Sequence, residues 1–346
     1  MSFQIYQTDK TGRDKFYEDI IAKNVTFAPV EKFSKFDFRQ ISSLAECNPD
    51  SPIASTMSIK PLFFPKTSKI LKYNESSAGT EVSLPEEADS LQQKKVILGA
   101  KHCDARGMQV LDKVYKWDYV DDYYFKRREN TVIISTRCNK ADTHCFCTSL
   151  DYDVENSDAY DVMVAQTSEN DYHIQAHTEK GEQFLKDYQL KAAGTNADAK
   201  IKEHYQKFAA SFKLKMDYNL INAKLQENVD SPAFEEAPNR CISCNTCSFI
   251  CPTCHCFKIS DEKIKDNGIR YKSYDSCNNV YFTLMAGGHN PRPVKYRRWR
   301  QRAMHKFVYY KERFGVNLCV GCGRCANSCP VNISIFEVVN QVAEKA

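Results

Sequence analysis

The feature that most constrains this chain is a repeated cysteine run. The first copy is Cys241-Ile242-Ser243-Cys244-Asn245-Thr246-Cys247-Ser248-Phe249-Ile250-Cys251-Pro252. The second is Cys319-Val320-Gly321-Cys322-Gly323-Arg324-Cys325-Ala326-Asn327-Ser328-Cys329-Pro330. Each reads Cys-x2-Cys-x2-Cys-x3-Cys-Pro, the spacing that holds two [4Fe–4S] clusters in bacterial ferredoxins. Iron in a cubane takes soft thiolate ligands in tetrahedral geometry. Three cysteines spaced by two residues can wrap one cube through a tight loop. The fourth is carried away along the following turn and, in two-cluster ferredoxins, reaches the other cube. The spacing therefore assigns Cys241, Cys244, Cys247 and Cys329 to cluster 1, and Cys319, Cys322, Cys325 and Cys251 to cluster 2. Structural zinc is the plainer alternative, but it favours four ligands in two separated pairs, and a doubled four-cysteine run closed by proline does not fit that form.

The rest of the composition agrees with a metal-binding reading. Sixteen cysteines in 346 residues are too many to be incidental. A secreted disulfide scaffold is usually small and begins with a signal peptide, whereas Met1-Ser2-Phe3-Gln4-Ile5-Tyr6 has no apolar core. No stretch approaches the roughly 18 apolar residues of a membrane span. A cytoplasmic protein with reduced thiols is expected. The net charge of +4 is too mild to argue for a polyanionic partner.

Ahead of the runs, Val25–Val30 reads as a short strand ended by Pro29, and residues 65–95 as a long loop or irregular segment. Val96–Gly99 is a buried-type strand leading to Cys103, followed by helical spacing at Val110, Leu111, Val114 and Tyr115. Thr131–Ser135 is another strand, leading to Cys138. Residues 161–165 and 171–176 are weaker strands. From 199 to 226 a helix is expected with Ile201, Tyr205, Phe208, Phe212 and Met216 on one face. Ser231-Pro232 opens a further helix. The expected architecture is α+β or α/β. An N-terminal mixed α/β docking domain (1–226) precedes a mostly α-helical two-[4Fe–4S] ferredoxin-like domain (227–346). The long linker between the runs, with helical residues 299–313, favours that helical form over a compact β-rich ferredoxin.

Between Asp275 and Glu312 no acidic residue occurs, while Arg292, Lys295, Arg297, Arg298, Arg300, Arg302, Lys306 and Lys311 do. Positive charge near an anionic cluster raises its potential, so cluster or partner electrostatics is one reading. A solvated basic face is the second, and nucleic-acid binding a minor third. Cys103, Cys138, Cys145 and Cys147 are a candidate third [4Fe–4S] set. Their spacing has no standard form, so buried free thiols or zinc stay open beside it. Cys254, Cys256 and Cys277 read as buried thiols near a cluster, and Cys47 as an ordinary thiol. No histidine is assigned as a ligand. No strand is followed by a convincing GxGxxG, so neither nucleotide nor flavin is argued for this chain. No nucleophile or general base stands out, and no catalytic residue is assigned.

Several stretches resemble a known group. They are Cys251-Pro252-Thr253-Cys254-His255-Cys256-Phe257, Asp275-Ser276-Cys277, Ala286-Gly287-Gly288-His289-Asn290-Pro291-Arg292 and His305-Lys306-Phe307. With Cys103-Asp104, Leu111-Asp112, Cys138 and Cys145-Phe146-Cys147, they are similar to the dicluster iron–sulfur subunits of anaerobic sulfite reductase and of soluble sulfhydrogenase, the beta subunit in the latter. The resemblance implies a relay of single electrons within a soluble oxidoreductase complex. It also implies two partners: a flavin-binding, ferredoxin-reductase-like subunit that oxidises NAD(P)H, and a catalytic subunit of sirohaem sulfite reductase or nickel–iron hydrogenase type. Another flavin-based system, heterodisulfide-reductase-like or formate dehydrogenase-linked, is the alternative, as is a zinc-stabilised nucleic-acid-binding protein.

Overall fold

The computed structural model describes residues 3–33, 35–51, 54–85, 91–150 and 158–345. Met1 and Ser2 of the N-terminal reading, and residues 86–90 of the expected loop, lie outside the described residues. The strands are β1 (Ile5–Thr8), β2 (Val25–Lys32), β3 (Lys35–Ile41), β4 (Thr67–Ser76), β5 (Gly79–Ser83), β6 (Lys95–Ala100), β7 (Thr131–Thr136), β8 (Val162–Ser168), β9 (Asp171–Ala176), β10 (Phe257–Ile264) and β11 (Asn267–Tyr274).

Seven of them form one mixed sheet in the order β1-β9-β8-β7-β6-β2-β3. Its centre, β8-β7-β6-β2, is parallel, and both margins are antiparallel. Parallel strands need both faces covered, and the alternation in β6 supplies both. Val96 and Leu98 pack with Phe16 and Ile20 of the helix Lys10–Lys23. Ile97 packs on the other side with Met108 and Leu111 of the helix His102–Tyr115. This is the α/β arrangement expected from the strand–helix–strand pattern.

Four local expectations need correction. Strand β2 runs through Pro29 rather than ending there. Its pairing with β6 stops at Phe27, so the missing N–H of Pro29 breaks no ladder on that side. The expected loop at 65–95 contains the β4–β5 hairpin. That hairpin joins β10–β11, from the linker between the cysteine runs, in a four-stranded antiparallel sheet ordered β10-β11-β4-β5. The linker is thus not wholly helical. The expected helix at 199–226 is two, Ala197–Ala210 and Tyr218–Glu227, with Phe212 and Met216 in the connection between them. Ser231-Pro232 precedes only one short turn, Ala233–Glu236.

After the second sheet the chain is helical. Lys295–Met304 is α-helix, His305–Tyr309 widens into a π turn, and Tyr310–Phe314 resumes the α form until Gly315 ends it at φ 71°. Trp299, Met304, Phe307 and Val308 are buried in one core with Val338, Val339 and Val342 of the last helix, Ile335–Glu344. Phe146 and Leu150, from the loop after β7, enter the same core. Among the described residues no helix is long and apolar enough to cross a membrane.

Candidate metal centres

The first run turns through two left-handed residues, Ser243 (φ 57°) and Asn245 (φ 62°). Such turns aim successive amides inward, a geometry that suits anionic sulfur. The Ser243 N–H donates to Cys241 Sγ at 3.4 Å. One helical turn, Thr246–Phe249, then carries Cys247. Cys241, Cys244 and Cys247 line a hollow together with Cys325 and Cys329 of the second run, Asn278, Trp299 and Arg302. Asn278 Nδ2 donates to Cys247 Sγ at 3.6 Å, and the Ile333 N–H donates to Cys329 Sγ at 3.3 Å. Cys244 is exposed to solvent.

The second run makes the same turn at Gly321 (φ 64°) and Gly323 (φ 71°). Here the residue type is forced. A Cβ on Gly321 would lie 2.6 Å from the Cys147 backbone, and one on Gly323 would lie 2.7 Å from the His144 carbonyl. The loop after β7 is therefore pressed against the run. The Phe146 N–H donates to the Gly321 carbonyl at 2.9 Å, and Cys145 Sγ donates to the Cys322 carbonyl at 3.6 Å.

That loop brings the N-terminal cysteines together. β6 and β7 are parallel neighbours, so their C-terminal ends place Cys103 and Cys138 side by side, the position where open α/β sheets form ligand crevices. Cys145 and Cys147 close the ring. All four line one hollow, with Cys322 of the second run on its wall and Tyr205, Phe208 and Phe212 covering it. Burial pushes the thiols of Cys138, Cys147 and Cys322 up, and that of Cys145 up to about 12. Bare thiols there would stay neutral, and metal binding is what converts such groups to thiolates.

Cys251 and Cys319 lie in a third neighbourhood, organised by cations. Cys319 is near Cys325 and Cys251, and burial pushes its thiol up to about 11. Lys306 Nζ is 3.2 Å from both Cys251 Sγ and Thr253 Oγ1. Lys306 lies in the π turn, a feature frequent at functional sites. With Arg298 and Arg302 it forms an i, i+4, i+8 stripe, and all three are buried. The expected basic stretch is thus divided, with this stripe turned inward.

Arg302 is 1% exposed, and none of its three guanidinium nitrogens has a hydrogen-bond partner. Burial works against its charge, but the sulfurs of Cys247, Cys325, Cys254 and Cys251 hold it protonated. The largest electrostatic influences on Arg302 and Lys306 are cysteine sulfurs, with no carboxylate among the leading ones. Burying an unpaired cation costs several kcal/mol, so these positions suit an anionic body held by the surrounding thiolates. The donor set fits [4Fe–4S] clusters. Among the described residues no three His, Cys, Asp or Glu side chains converge tightly enough to hold a single ion.

Arg324 completes the second run. Its Nη2 reaches Asp104 Oδ1 at 2.7 Å and Oδ2 at 2.9 Å, its Nε donates to the Ser55 carbonyl at 2.7 Å, and its Nη1 lies 3.5 Å from Cys103 Sγ. The sequence holds no signal for this pairing across 220 residues. The Arg298–Arg302–Lys306 spacing, in contrast, could have marked a single helix face. Cys47 stands apart, packed with the core beneath the seven-stranded sheet.

A family model described as a 4Fe-4S dicluster domain matches residues 240–333. The chain is 30% identical over 333 residues to "Sulfhydrogenase 2 subunit beta" of Pyrococcus furiosus, an alignment that covers 95% of this chain and 96% of that one. No solved structure matches.

Proposed function

Because the chain belongs to the family of the sulfhydrogenase beta subunits, and is an iron–sulfur electron-transfer subunit on that ground and on its dicluster domain, we propose that it relays single electrons between a flavin-carrying partner and a catalytic one. Cys241, Cys244, Cys247 and Cys329 would hold one [4Fe–4S] cluster. Cys319, Cys322, Cys325 and Cys251 would hold the second. Cys103, Cys138, Cys145 and Cys147 would hold a third. When bound, the clusters supply the one-electron chemistry, and the protein sets their spacing, potential and docking.

The observation that carries this reading is Arg302, a buried guanidinium with no hydrogen-bond partner among cysteines of both runs. The order of the three sets along the chain's interior supports a relay. Cys322 belongs to the second run yet walls the N-terminal hollow, and Cys325 belongs to the second run yet walls the first-run hollow. The partners proposed are a catalytic subunit of nickel–iron hydrogenase or sirohaem type and an NAD(P)H-oxidising, ferredoxin-reductase-like flavin subunit, in one cytoplasmic complex.

Two measurements test the proposal. Anaerobically purified chain should be brown and carry iron and acid-labile sulfide in equal amounts. Colourless protein with zinc would end the reading. The chain alone should not oxidise NAD(P)H, but should be reduced by it when the flavin subunit is added. Turnover by the isolated chain would show that it is an enzyme in its own right.

A further inference from the structure

Three cysteines remain beyond the twelve assigned above and Cys47, and they are neighbours in space. Cys254 and Cys256 follow the first run on the strand-like segment that enters β10. Cys277 follows β11, the antiparallel partner of β10. The β10–β11 hairpin therefore returns Cys277 to the place the chain left at Cys256. The Asp275 N–H donates to the Cys256 carbonyl at 2.9 Å, which pins the two ends together. Cys256 and Cys277 each exert the largest electrostatic influence on the other's thiol, and Cys254 and Cys251 do the same for each other, so the thiols lie in two neighbouring pairs.

The surroundings of these cysteines are built for negative charge. Lys60, 1% exposed, reaches in from the other end of the chain and donates from Nζ to the Cys254 carbonyl at 2.9 Å. Its ammonium also lies 4.3 Å from the Tyr274 ring centroid. Lys306 approaches from the π turn, and Arg302 offers three unpartnered nitrogens. The leading charged groups acting on Lys60 are Cys254, Cys251, Lys306 and Cys256. Three buried cations thus face one group of thiols. The two cysteine runs supply eight ligands without Cys256 and Cys277, which leaves those two thiols without a role in those clusters. Neighbouring thiols are the soft donors that iron–sulfur centres take, and Cys254 lies close enough to act on the Cys256 thiol.

We infer that Cys254, Cys256 and Cys277 hold a further iron–sulfur centre, set beside Cys251 and neutralised by Lys60, Arg302 and Lys306. The inference rests on the relay reading and extends it by one station. That station lies next to the joint between the two hairpins of the four-stranded sheet, because the hairpin that returns Cys277 also pairs with β4.

The test is iron and sulfide analysis of the anaerobic full-length chain, wild type against Cys256→Ser/Cys277→Ser, with Cys244→Ser as reference. The expected result is that the double variant loses at least two irons with matching sulfide, while the paramagnetic signals of the remaining clusters persist. Unchanged iron in the double variant, or the loss of one zinc without sulfide, overturns the inference. If the double variant fails to fold, the wild type decides alone: iron no greater than the three four-cysteine sets assigned above require overturns it, and iron in excess of them, with matching sulfide, supports it. A loss in Cys244→Ser beside no loss in the double variant removes this centre and leaves the relay standing. No iron in any of the three removes both.

Discussion

The two cysteine runs share a backbone and differ in what lies against it. Both place left-handed residues after the first and second cysteines, at Ser243 and Asn245 in one and at Gly321 and Gly323 in the other. In the first run those positions carry side chains, and Ile242 and Cys244 beside them are open to solvent. In the second run the loop at 144–147 occupies the space a side chain would need. Position 246 is a half-buried threonine, while its counterpart Arg324 is buried and paired with Asp104. The same ligand loop therefore serves as a surface contact in one copy and as an internal joint in the other. Electrons would enter or leave by the first run and cross to the N-terminal cysteines through the second.

Metal removal should expose that difference most strongly. Without anionic clusters, Arg302 is left buried with no hydrogen-bond partner, while Lys306 keeps only its contacts to Cys251 Sγ and Thr253 Oγ1. Leaving a buried charge uncompensated costs about 3–5 kcal/mol, and Arg302 bears most of that loss. Chelation under denaturant-free conditions should lower the unfolding midpoint sharply. Hydrogen exchange should rise first around 144–147 and 319–325, where three elements depend on one another, and later around 241–247. Equal exchange at the two runs would argue against an internal joint.

Exchanging residues between the runs is the next test. Arg324→Thr should destabilise the holoprotein by about 3–5 kcal/mol, because Asp104 is left buried without its partner. Thr246→Arg, on the open run, should change stability by no more than about 0.5 kcal/mol. Gly321→Ser should cost about 1–2 kcal/mol for the left-handed backbone and a further ~1–3 kcal/mol for displacing Cys147. Iron should be lost from the N-terminal set in that variant. Ser243→Gly should be close to neutral. Urea unfolding with iron counting checks all four, and equal penalties within either pair would erase the distinction between the runs.

How much of this was visible in the sequence follows from which interactions are local. The doubled run marks its own turns and candidate ligands through spacing, and β6, β7 and the helix between them show in short apolar runs and helical periodicity. The β4–β5 hairpin escaped because nearly every residue of β4 is half exposed, so no alternation marks it. Its partner β11 lies some two hundred positions away, and such pairing leaves no local trace. The break at Phe212–Met216 escaped for the opposite reason: apolar residues at helical spacing continue across a connection that is not helical. Around the cysteines, the candidate ligands could be named from spacing, while Lys60, Asp104 and Arg324 could not. A buried cation is recognised only by what the fold places next to it.

A variant that should disturb stability little is the one most informative about electron transfer. Arg302→Met keeps the volume and removes the charge. In the loaded protein a methionine needs no compensation, and volume-conserving exchanges in a core usually cost less than about 1.5 kcal/mol. The potentials should respond instead. A positive charge favours the reduced, more negative cluster, so its loss should make reduction harder by tens of millivolts. Arg302 acts on Cys247 and Cys325 and also on Cys251 and Cys254, so the clusters of both runs should shift. The centre held by Cys103, Cys138, Cys145 and Cys147 should not. Arg300→Met is the control two positions away, since that side chain pairs with Asp230 and bonds the Val229 carbonyl. A redox titration monitored by electron paramagnetic resonance separates the outcomes. A shift confined to one run would place Arg302 at one cluster rather than between two, and the two runs would then be independent stations instead of halves of one charge-balanced unit.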